Sequence, residues 1–344
     1  MKLVQEPGLD WHLALDKIKL RIPQFIDKFS KKIISIPSDI ALSFTSNSLI
    51  EDLALAPLYQ QVISLHCPQT PNLSAHDLKI IKDLKAVGVS VTSLEMLEVS
   101  NTQSFLNAAQ ELSAEIKCSL SNPKCQGKHT LTINSKQLLQ YSEVFYWGVN
   151  DRFLNIAERY LNLPVAYDGL SYYYSVADGK EEGPRKWHRD KEDWRMIKMC
   201  VYLNSVDGGG GPFECVFPSE NDFLVKTVPP YQVLLHNQVQ KLFRENIKPW
   251  YQSYLGAVGT VIFVDTARFY HRGAPPTSQD RAAIFFSYFS DRPKNPFFCG
   301  RSPLSQQELY QLAQSLPDHQ RKSVLWKDEL SGIGHLIPKN RVTV

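Results

Sequence analysis

Three residues of this chain have types that suit a single metal ion: His188, Asp190 and His271. On a strand, residues two apart point to the same side, so His188 and Asp190 can reach one ion; on a helix the pair would diverge. Two imidazoles and one carboxylate occupy one face of an octahedron and leave three positions open, a donor set suited to ferrous iron. Three open positions accommodate a bidentate 2-oxo acid together with dioxygen. Arg281, ten residues after His271, carries a planar fork of donors that matches a carboxylate better than Lys does.

These residues need strands to hold them, and the surrounding pattern supplies strands. Apolar, β-rich runs recur at residues 170–176, 196–203, 212–217, 259–265 and 282–289, with a Gly-rich turn at 208–211 and a shorter run at 232–235. Short strands punctuated in this way predict an all-β barrel or sandwich. An H-x-D pair alone is a weak signal; its place in this ordered series is what gives it weight. His236 competes with His271 as the distal ligand, because it ends the run at 232–235 and Arg244 follows eight residues on. No strand-like run starts at Arg244, whereas one starts at Arg281, which favours His271.

Taken together, Trp187-His188-x-Asp190, Trp194, Gly211-Pro212, Gly259-Thr260 with Phe263-x-Asp265, His271-x-Gly273 and Arg281 resemble the phytanoyl-CoA dioxygenase-like branch of the Fe(II)/2-oxoglutarate oxygenases. The resemblance covers residues 165–292, and the N-terminal half only loosely. It implies an α+β protein with a double-stranded β-helix (jelly-roll, cupin-like) core and helices packed outside. The expected domains are a helix-rich region at 1–165, the catalytic core at 166–292 and a helical extension at 293–344. The resemblance further implies a dioxygenase that uses Fe(II), 2-oxoglutarate and O2, with ascorbate a candidate reductant. Such an enzyme would hydroxylate a C–H bond of a small or carrier-bound substrate and release succinate and CO2. His188, Asp190 and His271 would hold the metal, and Arg281 the co-substrate carboxylate with help from Lys198. Tyr173, Trp187 and Trp194 are candidates for the substrate pocket. Asp190 keeps a carboxylate where halogenating relatives carry Gly or Ala, so hydroxylation or a related oxidation is expected. The basic residues Lys180, Arg185, Lys186, Arg189, Lys191 and Arg195 could greet an anionic substrate, or form a solvated loop offset by neighbouring acids. The competing classes are a non-catalytic β-helix binding protein and a cupin-type metalloprotein without 2-oxoglutarate dependence. A cupin would call for H-x-H with a downstream Glu, which this chain does not supply.

Composition agrees with a water-soluble enzyme. The 344 residues, 43% hydrophobic, are enough for a sizeable core. A net charge of +3 is too small to imply nucleic acid or an anionic membrane as partner. No apolar span is long enough to cross a bilayer, and the first residues lack a signal peptide's apolar core, so a cytoplasmic location is expected. The cysteines at 67, 118, 125, 200, 215 and 299 form no disulfide framework, and Cys118, Cys125 and His129 do not have the spacing of a zinc site.

Helical signals flank the β-rich part. Periodicity marks 11–32, 101–117, 135–147 and 151–161. Capping boxes stand at Ser48 with Glu51, at Ser74 with Asp77 and at Ser305 with Glu308; the second helix should stop at Gly88. A short strand is expected at 89–92, a connector at 292–302 and a further amphipathic stretch at 318–326. The tail from Gly332 is irregular.

Overall fold

The computed structural model describes residues 46–47, 51–68, 73–122, 125, 127–243 and 249–330. The helix expected at 11–32, the start of the capping box at Ser48, Arg244 and the tail from Gly332 lie outside those residues.

In chain order the helices are α1 (Ala56–Leu65), α2 (Ala75–Val87), the single turn α3 (Leu94–Leu97), α4 (Thr102–Ser119), α5 (Ser135–Gln140), α6 (Glu143–Gly148), α7 (Asp151–Leu161), α8 (Pro218–Thr227), α9 (His236–Leu242), α10 (Gln306–Ala313) and α11 (Asp318–Val324). The strands are β1 (Val89–Ser93), β2 (Thr130–Leu131), β3 (Val165–Ser175), β4 (Ile197–Tyr202), β5 (Phe213–Val216), β6 (Tyr251–Tyr254), β7 (Thr260–Asp265), β8 (His271–Gly273) and β9 (Arg281–Ser290). The result is a mixture of helices and antiparallel sheet. Six strands make one sheet in the order β1-β7-β4-β9-β3-β2, and three make a second in the order β6-β5-β8.

Local chemistry explains the helix ends. Ser74 and Asp77 exchange hydrogen bonds as a capping box at the start of α2, and Gly88 ends it in the left-handed conformation at φ 78°. Ser305 and Glu308 do the same for α10. The single helix expected at 135–147 is two: α5 stops at Tyr141, whose backbone leaves the helical region while its hydroxyl donates to Glu115.

The large sheet is buried on both faces, and strand alternation sorts its side chains. Met199, Val201, Ile284, Phe286 and Tyr288 join helices α2, α4, α6 and α7 in the main core. Their neighbours Cys200, Tyr202, Ala283 and Phe285 point the other way and meet Phe213 and Cys215 of the second sheet. A fully buried helix-side residue such as Phe286 contributes roughly 2–3 kcal/mol through apolar area removed from water. Helix α6 reaches this face closely because residue 148 is glycine: a Cβ there would lie 2.3 Å from the Phe286 ring. The gap between the two sheets, lined by the opposite face, is where the polar residues collect.

Candidate metal centre

His188 and His271 meet through the backbone before they meet through their rings. The two residues form an isolated antiparallel bridge, with N–H to carbonyl distances of 3.1 and 3.0 Å. Their imidazoles lie 4.4 Å apart, centroid to centroid. His188 Nδ1 faces the Lys186 carbonyl at 2.7 Å and His271 Nδ1 faces the Phe269 carbonyl at 3.0 Å. Each Nδ1 must therefore carry the proton and donate it, which leaves Nε2 as the lone-pair nitrogen. Asp190 is fixed by its own N–H, donated to Thr266 O at 2.9 Å. One ligand atom from each of the three residues lies within 4.8 Å of the others.

The electrostatics favour metal-ready protonation states. Burial disfavours charge on Asp190, but Lys198 and Arg301 outweigh it and hold the carboxyl well below the usual carboxylate range. Burial pushes both imidazoles below their ordinary value, helped for His271 by the neighbouring His188. Asp190 Oδ1 accepts from Arg301 at 2.8 Å. Its Oδ2 lies 3.8 Å from His271 Nε2 and forms a buried ion pair with Lys198. A buried carboxylate oxygen that already faces one cation, the Lys198 ammonium, and stands beside two lone-pair nitrogens is a donor set that suits a metal ion.

Arg281 begins β9, paired with Ser175 of β3. It is buried; its guanidinium donates to the Gly211 carbonyl and, at 3.4 Å, to Ser175 Oγ, and its Nε has no partner. Among the described residues it makes no ion pair. The H-x-G spacing has a steric reason: a Cβ on Gly273 would stand 2.3 Å from Arg281 Nη2. A cavity of about 50 Å³ joins Arg281 to His188 and His271, with Tyr173, Phe213 and Phe285 as its apolar walls. Phe213 stacks on His271 at 5.7 Å.

The other sequence candidates are dispersed. Tyr173 lines the pocket, but Trp187 and Trp194 do not. Extended backbone sends Trp187 to the side opposite His188, where it packs against Trp250, Tyr251 and Arg272. Trp194 stacks on Tyr59 and under Lys294. Lys198 faces the pocket; its partner is Asp190, and it pairs across the sheet with Ser287, six residues along β9 from Arg281. Among the described residues His236 lies outside the cluster: it sits at the start of α9, accepting from Trp187 Nε1 at 3.3 Å. Of the basic cluster, Arg185 is buried and spent on Asp178 and on the carbonyls of His129, Val176 and Lys180.

Arg301 is the site residue that sequence reasoning missed. It grips Glu192 as well as Asp190. Its loop is held by Asp168, whose carboxylate accepts from Gly300 N at 2.8 Å and Arg301 N at 3.0 Å. Asp168 can turn to that loop because β3 bulges there, with Gly169 at φ 81°.

No protein-family model and no curated protein matches the sequence. Solved structures show a loose likeness. HygX from Streptomyces hygroscopicus with nickel and 2-oxoglutarate bound is 14% identical, covering 64% of this chain and 88% of that one at a TM-score of 0.42. AviO1 from Streptomyces viridochromogenes Tue57 is 12% identical over 65% and 98%, at 0.43. EctD from S. alaskensis with 2-oxoglutarate and 5-hydroxyectoine is 17% identical over 67% and 80%, at 0.43. A likeness this distant leaves the chemical reading to the side chains. Among the described residues, no helix is long and apolar enough to cross a membrane.

Proposed function

We propose that the chain is an Fe(II)/2-oxoglutarate-dependent oxygenase of the phytanoyl-CoA dioxygenase-like kind, its two sheets forming a double-stranded β-helix, and that it hydroxylates a C–H bond of a small or carrier-bound substrate. One observation carries the reading. Two imidazoles with lone-pair Nε2 atoms and one buried carboxylate converge beside a buried guanidinium that makes no ion pair among the described residues. A silent binding protein would have no use for all four together.

His188, Asp190 and His271 would hold the iron, which when bound supplies activation of dioxygen, coupled to decarboxylation of 2-oxoglutarate to succinate and CO2. The carbonyls of Lys186 and Phe269 keep the imidazoles oriented and in the ligating tautomer. Arg301 anchors Asp190 Oδ1 and Lys198 holds Oδ2, which lies 3.8 Å from His271 Nε2. Arg281 receives the far carboxylate of the co-substrate, where a charge-assisted pair in a buried site is strong. Tyr173, Phe213 and Phe285 keep water from the reacting carbon.

The test is succinate release. Purified protein given Fe(II), 2-oxoglutarate, ascorbate and a metabolite pool should form succinate along with a product heavier by one oxygen. Asp190→Ala should lower substrate-coupled succinate to background. Normal turnover in that variant would remove Asp190 from the metal and end the proposal.

A further inference from the structure

The pocket has two chemically different ends. Going along β9, the residues that line it are Arg281, Phe285 and Ser287, with Ala283 on the same side of the strand. Arg281 pairs with Ser175 at one end, and Ser287 pairs with Lys198 at the other. Six residues separate them, roughly 20 Å of strand. Gly273 lies over the Arg281 guanidinium, while the Lys198 ammonium reaches Asp190, so the triad stands between the ends.

The far end offers donors. Ser287 is fully buried, lines the pocket, and its hydroxyl has no hydrogen-bond partner. A buried hydroxyl in that state is costly unless a ligand satisfies it. Lys198 is buried beside it, and Ser171 and Arg301 also line the pocket. Ser171, Tyr173, His188 and Arg301 are only partly buried, so a molecule can enter on this side. The charges point the same way. Lys198 and Arg301 are matched by Asp190 and Glu192. Arg185, also in the lining, is matched by Asp178; with the proposed ferrous ion and the 2-oxoglutarate dianion cancelling each other, Arg281 leaves the sum at one positive charge, and net charge is costly in a buried site.

Resting on the function proposed above, we infer that Ser287, Lys198, Ser171 and Arg301 form the substrate subsite, and that it takes a molecule bearing an oxyanion, a carboxylate or a phosphate, with Tyr173 as its apolar wall. The oxyanion accepts from the Ser287 hydroxyl and the Lys198 ammonium. The carbon to be oxidised then lies on the triad's side of that group, across the iron from Arg281.

The small molecules of a cell extract, split by an anion-exchange column, supply the probe. In the presence of Fe(II) and 2-oxoglutarate the retained fraction should raise succinate formation at least tenfold, and the flow-through should not. Sub-fractions of carboxylates and of phosphate esters tell the two oxyanions apart. Ser287→Thr and Ser287→Val add nearly the same volume but differ in the hydroxyl. The Thr variant should keep the stimulation within about threefold of the original, and the Val variant should lose more than tenfold. The visible band of the anaerobic Fe(II)·2-oxoglutarate complex shows in each case whether metal and co-substrate still load. With that band present, stimulation by the flow-through alone, by neither fraction, or equally in the Thr and Val variants overturns the subsite. Absence of the band from the unmodified protein overturns the iron reading instead.

Discussion

The two faces of β9 solve different problems with alternate residues of one strand. Ala282, Ile284, Phe286 and Tyr288 enter the helix-backed core, where only size and shape matter. Arg281, Phe285 and Ser287 enter the pocket, where two of the three are buried polar side chains and each has an atom without a hydrogen-bond partner. A buried polar atom without a partner weakens a fold. The helix face must therefore supply stability that the pocket face does not. The lesson is a separation: changes on one face should alter the fold and spare the chemistry, and changes on the other should do the reverse.

That separation can be broken experimentally, starting where the effect is largest. Arg281→Leu removes the cation proposed to receive the co-substrate and should raise the KM for 2-oxoglutarate about 100-fold or more, on the scale of a lost charge-assisted pair of roughly 3 kcal/mol. The melting temperature of this variant should hold or rise, because an orphaned buried charge has gone. A large fall in Tm with unchanged KM would place Arg281 in the core. Phe286→Ala should do the opposite, costing about 3–5 kcal/mol in urea unfolding while the folded fraction keeps its 2-oxoglutarate affinity.

A subtler change tests the H-x-G spacing. Gly273→Ala places a methyl against the Arg281 guanidinium and should weaken 2-oxoglutarate binding about tenfold by displacing the fork. Unfolding should shift by less than 1 kcal/mol. Unchanged titration of 2-oxoglutarate would show that the guanidinium does not sit there in solution.

The smallest effect concerns pH and lies off both faces. Burial pushes Asp193 up to about 6, despite hydrogen bonds accepted from Trp194 N, Lys294 N and both Ser290 N and Oγ. The folded state then keeps a proton that the unfolded chain releases near pH 4. Stability from this group is full below about pH 4 and declines as pH rises toward 6. The slope of Tm against pH over that window should be shallower in Asp193→Asn. Equal slopes would mean that the hydrogen bonds have cancelled the effect of burial.

Much of the site could be read from the chain because its geometry is local or strand-periodic. His188 and Asp190 share a side through i, i+2 spacing, and Arg281 announces itself by opening a β-rich run. Gly88, Ser74 and Ser305 mark helix ends through their own backbone chemistry. What escaped depends on long-range packing. Arg301 meets Asp190 across 111 residues of sequence, from a Pro- and Gly-containing segment that reads as a mere connector. Trp187 and Trp194 have the bulk of pocket walls, but which side of an extended segment is inward is decided by the tertiary fold. Helix α8 starts at Pro218 with a polar first turn, so its short amphipathic face gave little periodicity to detect.

The central claim is that one small region binds a ferrous ion and 2-oxoglutarate at once, and an anaerobic titration measures that directly. Adding 2-oxoglutarate to the protein with one equivalent of Fe(II) should produce a weak visible charge-transfer band that saturates at one co-substrate per chain and is missing in His271→Ala. A featureless spectrum from the unmodified protein, or a band that survives loss of His271, would contradict the account.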